Sequence, residues 1–180
     1  MEQKVSVWKA NLTSGLIIGL VGIVYSLVMW FLYLTLNQVQ GYVYLVIMIF
    51  LLYYFIRSYR DNYLGGYITY GQAVGAGVII CLFSAIIGAI FTYILYTVID
   101  PGLYAKQLVM TEEMLAKRGM PQEAMDAAIN MSKKMQKPII TTVTGIIMGI
   151  FFGTIISLIV AIFVKKEGNP LIDAPEVKYN

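Results

Sequence analysis

Long uncharged apolar runs alternate with short polar segments along the chain. Residues 12–36, 42–56, 72–99 and 139–164 contain no Asp, Glu, Lys, Arg or His. A helix of about 20 apolar residues is long enough to cross the ~30 Å hydrocarbon core of a bilayer. The pattern therefore predicts an all-α membrane protein in which four transmembrane helices form one integral membrane domain over residues 1–180. Because the second run is short, we expect its aromatic ends to lie at the membrane interfaces.

The first apolar run has a competing interpretation as part of a cleaved signal peptide. It is 25 residues long, whereas the apolar region of a signal peptide has about 7–15 residues. No small-x-small cleavage site follows it. We therefore interpret residues 12–36 as a retained membrane anchor.

Residues 102–137 form the only sizeable polar segment of the sequence. Their pattern predicts two short amphipathic helices that form an insert between the third and fourth spans. In the second of these helices Met125, Ala128, Met131 and Met135 share one face, a candidate surface for a partner or for the bilayer. Methionine thioethers also bind Cu(I), but without histidine or a nearby cysteine a contact surface is the preferred interpretation.

Small residues recur at every fourth position in several apolar runs. In lipid, helices associate through close backbone contact, which small side chains permit. The stripes predict that the third and fourth spans pack against each other and that the first span has a further close-packing face. The candidate helix-packing residues are Gly15, Gly19, Gly77, Cys81, Ala85, Ala89, Gly145, Gly149, Gly153 and Ser157.

Composition narrows the chemistry that the chain is expected to perform. Charged residues make up 13% of the sequence, and histidine is absent, whereas about a quarter of a soluble domain is charged. The single cysteine, Cys81, excludes an internal disulfide and a cysteine metal cluster. Uncharged spans count against proton-coupled transport and intramembrane hydrolysis. We expect no catalytic residue, no metal and no cofactor, and no basic stretch is long enough to indicate nucleic-acid binding.

Two arginines follow the second apolar run. Arg57 and Arg60 lie in a tyrosine-rich segment that is predicted to form an interfacial loop. Because a guanidinium binds a phosphate through two parallel hydrogen bonds, both are candidate lipid-headgroup residues. The favoured alternative is that they anchor the chain at the level of the headgroups without binding a particular lipid.

The distribution of basic residues predicts an orientation in the membrane. With four crossings, one side receives Lys4, Lys9, Arg57, Arg60, Lys165 and Lys166. The first turn, on the other side, contains no basic residue. The positive-inside rule then places both termini in the cytoplasm. Six basic residues in the segment 102–137 oppose this orientation. The segment 165–180 that follows the last span is predicted to be a disordered tail.

Residues 65–73, with the sequence GGYITYGQA, lead into the glycine-rich third run. This stretch, the insert before the fourth run and the Lys165–Lys166 pair after it resemble an uncharacterised family of four-span bacterial inner-membrane proteins. The family is known only by a domain-of-unknown-function label. The resemblance covers nearly the whole chain and implies a multi-pass protein of the bacterial inner membrane. It implies no activity, cofactor or catalytic residue.

Two functional hypotheses follow from this sequence. The leading one is a non-enzymatic membrane protein that acts by contact, as an accessory or assembly subunit or as a small homo-oligomer. Its partners would be the lipid bilayer and either a second copy or another membrane protein. The alternative is a small carrier or flippase-like protein for an apolar or lipid-linked envelope precursor. Such a carrier would bind its substrate through hydroxyl and backbone groups.

Overall fold

The computed structural model describes residues 6–168, which form six helices. These are α1 (Val7–Phe31), α2 (Gln38–Tyr63), α3 (Tyr70–Ile94), α4 (Leu103–Lys117), α5 (Gln122–Met135) and α6 (Pro138–Val164), with a π-helical turn (Leu95–Ile99) continuing α3. Four of these helices, α1, α2, α3 and α6, are long and apolar enough to cross a membrane. The expected all-helical protein with four candidate spans is thereby confirmed. Lys4 and most of the predicted tail lie outside the described residues.

The four long helices alternate in direction, and α3 contacts each of the other three. Gly15 and Gly19 of α1 lie against Ile80 and Ile87 of α3, so α1 and α3 run in the same direction. The hydroxyl of Tyr25 in α1 donates a hydrogen bond to the backbone carbonyl of Gln40 in α2 at 2.6 Å. Because these residues lie near the end of α1 and the start of α2, the two helices run in opposite directions. The α1–α2 loop and the α4–α5 hairpin lie at the same end of the bundle.

Helix α2 is much longer than the apolar run 42–56 from which it was predicted. It has 26 residues, and Asn37 caps its first turn by accepting a hydrogen bond from the backbone N–H of Val39 at 2.9 Å. The segment after Ile56 was predicted to be a loop, but it is helical. Arg57 and Asp61, one turn apart, form an ion pair of 3.7 Å there. Such pairs stabilise a helical turn. Helix α2 therefore continues through these charged residues to Tyr63.

Helix α1 begins and ends earlier than the predicted run 12–36. It starts at Val7 and ends at Phe31, and the chain reverses over residues 32–36, where Tyr33 adopts a left-handed φ of 59°. Because apolar residues continue through this loop, hydropathy alone does not mark the end of the helix. The other two spans differ from their predicted starts by only one or two residues.

The connection from α2 to α3 is attached to the end of α6. Gly65 and Gly66 turn the chain with φ of 65° and 89°, a conformation that glycine adopts without a steric penalty. Ile68 then exchanges two backbone hydrogen bonds with Lys166, at 2.9 and 3.1 Å. Thr69 and Gln72 form a capping box at the start of α3. This end of the bundle is therefore held by polar contacts.

At the opposite end, the α4–α5 hairpin joins α3 to α6. The rings of Tyr96 in the π-helical turn and Tyr104 in α4 lie 4.6 Å apart. The Tyr104 hydroxyl donates a hydrogen bond to Thr141 Oγ1 in α6 at 3.4 Å. Gly119, with a φ of 68°, turns the chain between α4 and α5. The hairpin is therefore attached to both neighbouring long helices.

Candidate functional site

Small residues line the interface between α3 and α6 in antiparallel register. The opposed pairs are Gly77 with Ser157, Cys81 with Gly153 and Ala85 with Gly149. A β-carbon placed on Gly153 would lie 2.5 Å from Cys81 Cβ, and one on Gly149 would lie 2.8 Å from Ala85 Cβ. No space for a larger side chain remains at these positions, so the two backbones lie very close together. We call this interface, defined by the three opposed pairs, the α3–α6 seam.

A second close approach joins α1 to α3. A β-carbon on Gly15 would lie 2.6 Å from Phe83 Cβ and 2.8 Å from the carbonyl oxygen of Ile80. One on Gly19 would lie 2.9 Å from Ile87 Cβ. Helix α3 is therefore packed tightly on two sides by glycines of its neighbours. Ala89, further along α3, is also buried.

Gly145 differs from the other small residues of α6. None of the described residues lies within 4 Å of a β-carbon placed there. Gly145 instead lines a cavity of about 370 Å³ between α6 and the α4–α5 hairpin, together with uncharged polar residues that include Gln107, Thr111 and Thr144. The start of α6 thus diverges from α3 at the place where the hairpin attaches.

Arg60 joins the ends of α2 and α6. Its Nη1 donates a hydrogen bond to the carbonyl oxygen of Val164 at 3.0 Å, and its Nε and Nη2 donate to the Asp61 carboxylate at 2.7 and 3.2 Å. The Arg60 side chain is 14% exposed, whereas that of Arg57 is 56% exposed. Arg57 also lines a cavity of about 440 Å³. Of the two candidate headgroup residues, Arg57 is the one that keeps an accessible guanidinium.

Replacing Arg60 by glutamine is expected to lower the free energy of unfolding by about 1–3 kcal/mol, because the Val164 carbonyl and Asp61 lose a charged donor. Arg57→Gln is the matched control and is expected to change it by less than about 0.5 kcal/mol, because exposed ion pairs contribute little. Both are measured by SDS titration in mixed micelles with circular dichroism. Equal losses for the two variants would contradict a structural role specific to Arg60.

The predicted contact face of α5 is divided between the inside and the outside of the hairpin. Met125 is 7% exposed and Ala128 is half-buried, whereas Met131 is 65% exposed and Met135 is also exposed. At about 100° per residue, Met125 and Met131 lie roughly 120° apart around the helix. One part of the face is therefore used within the protein, and Met131 and Met135 remain on its surface.

A cavity of about 750 Å³ lies between the α1–α2 loop and the junction of α3 with α4. Asp100, directly after the π-helical turn, lines it. The Oδ2 atom of Asp100 accepts hydrogen bonds from Lys106 Nζ at 3.2 Å and from Trp30 Nε1 at 3.4 Å. The hydrogen bond from Lys106 lowers the pKa of Asp100 below its ordinary value, so the carboxylate is ionised at neutral pH. We call this space the Asp100 cavity.

The sequence pattern does not reveal the Asp100 cavity or one buried polar residue. Trp30 and Asp100 are separated by 70 positions, and only the parallel packing of α1 and α3 brings them together. Asn11 of α1 is fully buried and donates a hydrogen bond to the carbonyl of Val7 at 2.9 Å. Its Oδ1 atom has no partner among the described residues. In the sequence, Asn11 stands out only as a polar amide directly before the apolar run 12–36.

The described residues offer no grouped ligands for a metal. Between residues 6 and 168, no three side chains of the types His, Cys, Asp and Glu lie close enough together to hold an ion.

A family model described as "Protein of unknown function (DUF4199)" matches residues 13–166. The match extends from the first turns of α1 to the end of α6 and confirms the resemblance to an uncharacterised family. No curated protein and no solved structure matches the chain.

Proposed function

Because the chain belongs to the DUF4199 family, whose function is unknown, we propose its role from its geometry. It is a non-enzymatic multi-pass protein of the bacterial inner membrane that acts by contact with a membrane protein, either an assembly partner or a second copy of itself. The observation that carries this proposal is the exposed apolar strip of α5, formed by Ala124, Met131 and Met135. Met131 is 65% exposed and Met135 is 43% exposed, so the strip is open to a partner.

The position of the strip supports a protein partner. Helices α4 and α5 lie at the end of the bundle, between the third and fourth candidate spans. On α5, Asp126 and Lys133 lie on the side of the helix opposite the strip, whereas Glu123 and Lys134 flank it. Methionine surfaces adapt their shape to a partner because the side chain is unbranched and flexible. A mixed-charge helix with a narrow apolar strip suits a protein surface better than an anionic bilayer, which favours a predominantly basic polar face.

The orientation that we propose places both termini in the cytoplasm. In the fold, the start of α1, the end of α2 and the end of α6 lie at one end of the bundle, with Lys9, Arg57, Lys165 and Lys166 among their residues. The α1–α2 loop at the other end has no basic residue, although the segment 102–137 at that end carries six and opposes this orientation. By the positive-inside rule, the first end faces the cytoplasm. The hairpin then lies on the outer side of the membrane.

Met131→Glu is expected to lower the yield of the complex at least tenfold, because the new carboxylate would lose its hydration in an apolar contact. The matched control is Asn130→Glu, which places the same charge on the neighbouring position, about 100° away around α5. The measurement is native mass spectrometry of protein extracted in its own lipids, with membrane insertion and helix content checked for both variants. Equal complex formation by the two variants would overturn the proposal.

The small carrier for an apolar or lipid-linked envelope precursor is the second candidate function. It is favoured by the cavity at Gly145, whose polar lining contains hydroxyls and amides but no charged side chain. Such groups bind neutral hydroxylated ligands through hydrogen bonds. If the protein is a carrier, filling this cavity by Gly145→Leu abolishes flux into vesicles and Met131→Glu leaves flux unchanged.

A further inference from the structure

We propose that the Asp100 cavity binds the headgroup of a zwitterionic aminophospholipid, of the phosphoethanolamine type. In this arrangement, the carboxylate of Asp100 accepts hydrogen bonds from the lipid ammonium, and the ammonium of Lys106 binds the lipid phosphate. This site lies outside the contact strip of α5 and does not depend on the proposed contact function.

The cavity lies at the depth where headgroups are found. Trp30 is in the last turn of α1, and Asp100 directly follows the π-helical turn that ends the third candidate span. The ends of spans lie near the membrane–water interface, where tryptophan and tyrosine are enriched. Tyr33, in the loop beside the cavity, is also exposed. A bound headgroup would therefore stay at its ordinary depth in the bilayer.

The charges of the cavity match a zwitterion better than an anion. Asp100 and Lys106 are 3.2 Å apart, so the lining carries one negative and one positive charge with no excess of either. An anionic headgroup would gain from Lys106, but it would also lie near the Asp100 carboxylate, which repels a negative charge. A headgroup with one charge of each sign satisfies both residues.

The Lys106 side chain is also able to accommodate a ligand. It is exposed, whereas Asp100 is half-buried and is additionally held by Trp30. The flexible lysine stem lets its ammonium move toward a phosphate while Asp100 stays in place. A primary ammonium donates hydrogen bonds to the carboxylate, whereas a trimethylated choline group has no N–H to donate. The site therefore favours ethanolamine over choline.

The remaining walls of the cavity suit an acyl chain. They are largely apolar and include Leu34, Leu36, Val39, Leu103 and Met110. A volume of about 750 Å³ falls in the range of small-molecule sites, which are mostly apolar with a few placed polar groups. The cavity thus offers a paired charged end and an apolar remainder, which is the arrangement of a phospholipid.

The test uses Trp30 as a reporter. The chain has two tryptophans, and Trp8 lies at the other end of α1 against Phe83, so Trp8→Phe leaves Trp30 as the sole indole. Phosphatidylethanolamine with brominated chains is titrated into the detergent-solubilised protein, and quenching of Trp30 is recorded. Half-quenching is expected at a mole fraction at least fivefold lower than for brominated phosphatidylglycerol, with phosphatidylcholine between them.

Variants then assign the preference to the two charged residues. In Asp100→Asn, the mole fractions of the two lipids at half-quenching are expected to agree within about twofold, because the acceptor for the ammonium loses its charge. Lys106→Gln is expected to weaken quenching by both lipids. Asp126→Asn and Lys117→Gln are the matched controls, since both residues lie on the hairpin away from this cavity, and are expected to keep the full preference.

Wild-type results decide the proposal even where a variant folds poorly. Native mass spectrometry of protein extracted from an equimolar mixture of the two lipids is expected to show retained phosphatidylethanolamine. Equal retention of both lipids, or a preference for phosphatidylglycerol, would overturn the proposal. So would a well-folded Asp100→Asn protein that keeps the wild-type preference.

Discussion

Replacing Gly153 by leucine is expected to lower the free energy of unfolding by about 3 kcal/mol or more. A β-carbon at this position would already lie 2.5 Å from Cys81 Cβ and 2.8 Å from its Sγ. Because Cys81 Cβ is bonded directly to the α3 backbone, it has no freedom to rotate away, so α6 must separate from α3. In lipid, helix association depends on close packing, and overpacking of such a contact costs 1–3 kcal/mol or more.

Gly145→Leu is the matched control for this prediction. It makes the same change in the same helix, but no described residue lies within 4 Å of a β-carbon there. We expect no loss, and a gain of up to about 1 kcal/mol, because leucine is favoured over glycine within a helix. Both variants are unfolded by SDS in mixed micelles, with helix content followed by circular dichroism. A loss at Gly145 as large as that at Gly153 would contradict the register of the α3–α6 seam.

Replacing Gly15 by alanine is expected to destabilise the packing of α1 on α3 by about 1–3 kcal/mol. The new β-carbon would lie 2.6 Å from Phe83 Cβ and 2.8 Å from the carbonyl oxygen of Ile80. Neither atom can move without its backbone, so the whole helix must shift. This loss outweighs the 0.5–1 kcal/mol or so by which alanine is favoured over glycine within a helix.

The same substitution at Gly22 provides the comparison. There the nearest atom to the new β-carbon is the hydroxyl oxygen of Tyr44, at 2.8 Å, which lies at the end of a side chain able to rotate away. Gly22→Ala is therefore expected to cause no loss and to gain up to about 1 kcal/mol from the helix preference for alanine. The two variants are compared in one SDS titration series. A larger loss at Gly22 than at Gly15 would mean that the backbone approach at Ile80 is not limiting.

Three of the long helices were predictable because their apolar runs exceed the ~20 residues of a membrane crossing, and the shorter run 42–56 was predicted with aromatic residues at its ends. Their ends were less predictable where polar and apolar signals conflict. Helix α2 continues past Ile56 because Arg57, Arg60 and Asp61 pair within one turn and because Arg60 reaches Val164. A run of charged residues indicates a loop only when those charges have no such partners. The partner on α6 is more than 100 positions away and has no signature in the local sequence.

The small-residue pattern identified candidate faces but not their use. Gly145, Gly149 and Gly153 repeat at the same interval, yet Gly149 and Gly153 lie against α3 and Gly145 lines a cavity. The difference arises because the hairpin separates the start of α6 from α3. On α5, the shared apolar face similarly divides into a buried Met125 and an exposed Met131. Periodicity places residues on one side of a helix, but the neighbouring helix decides which of them are covered.

The sequence by itself determined the class of this protein: four charge-free apolar runs that predict membrane helices, and a resemblance to the family to which it belongs. Tertiary structure alone decided that Arg60 is engaged while Arg57 is accessible, and that Trp30, Asp100 and Lys106 meet. The physical reason lies in the solvent. In a bilayer, surfaces that face lipid and surfaces that face protein are both apolar, so hydrophobicity predicts which residues enter the membrane but not which residues touch each other.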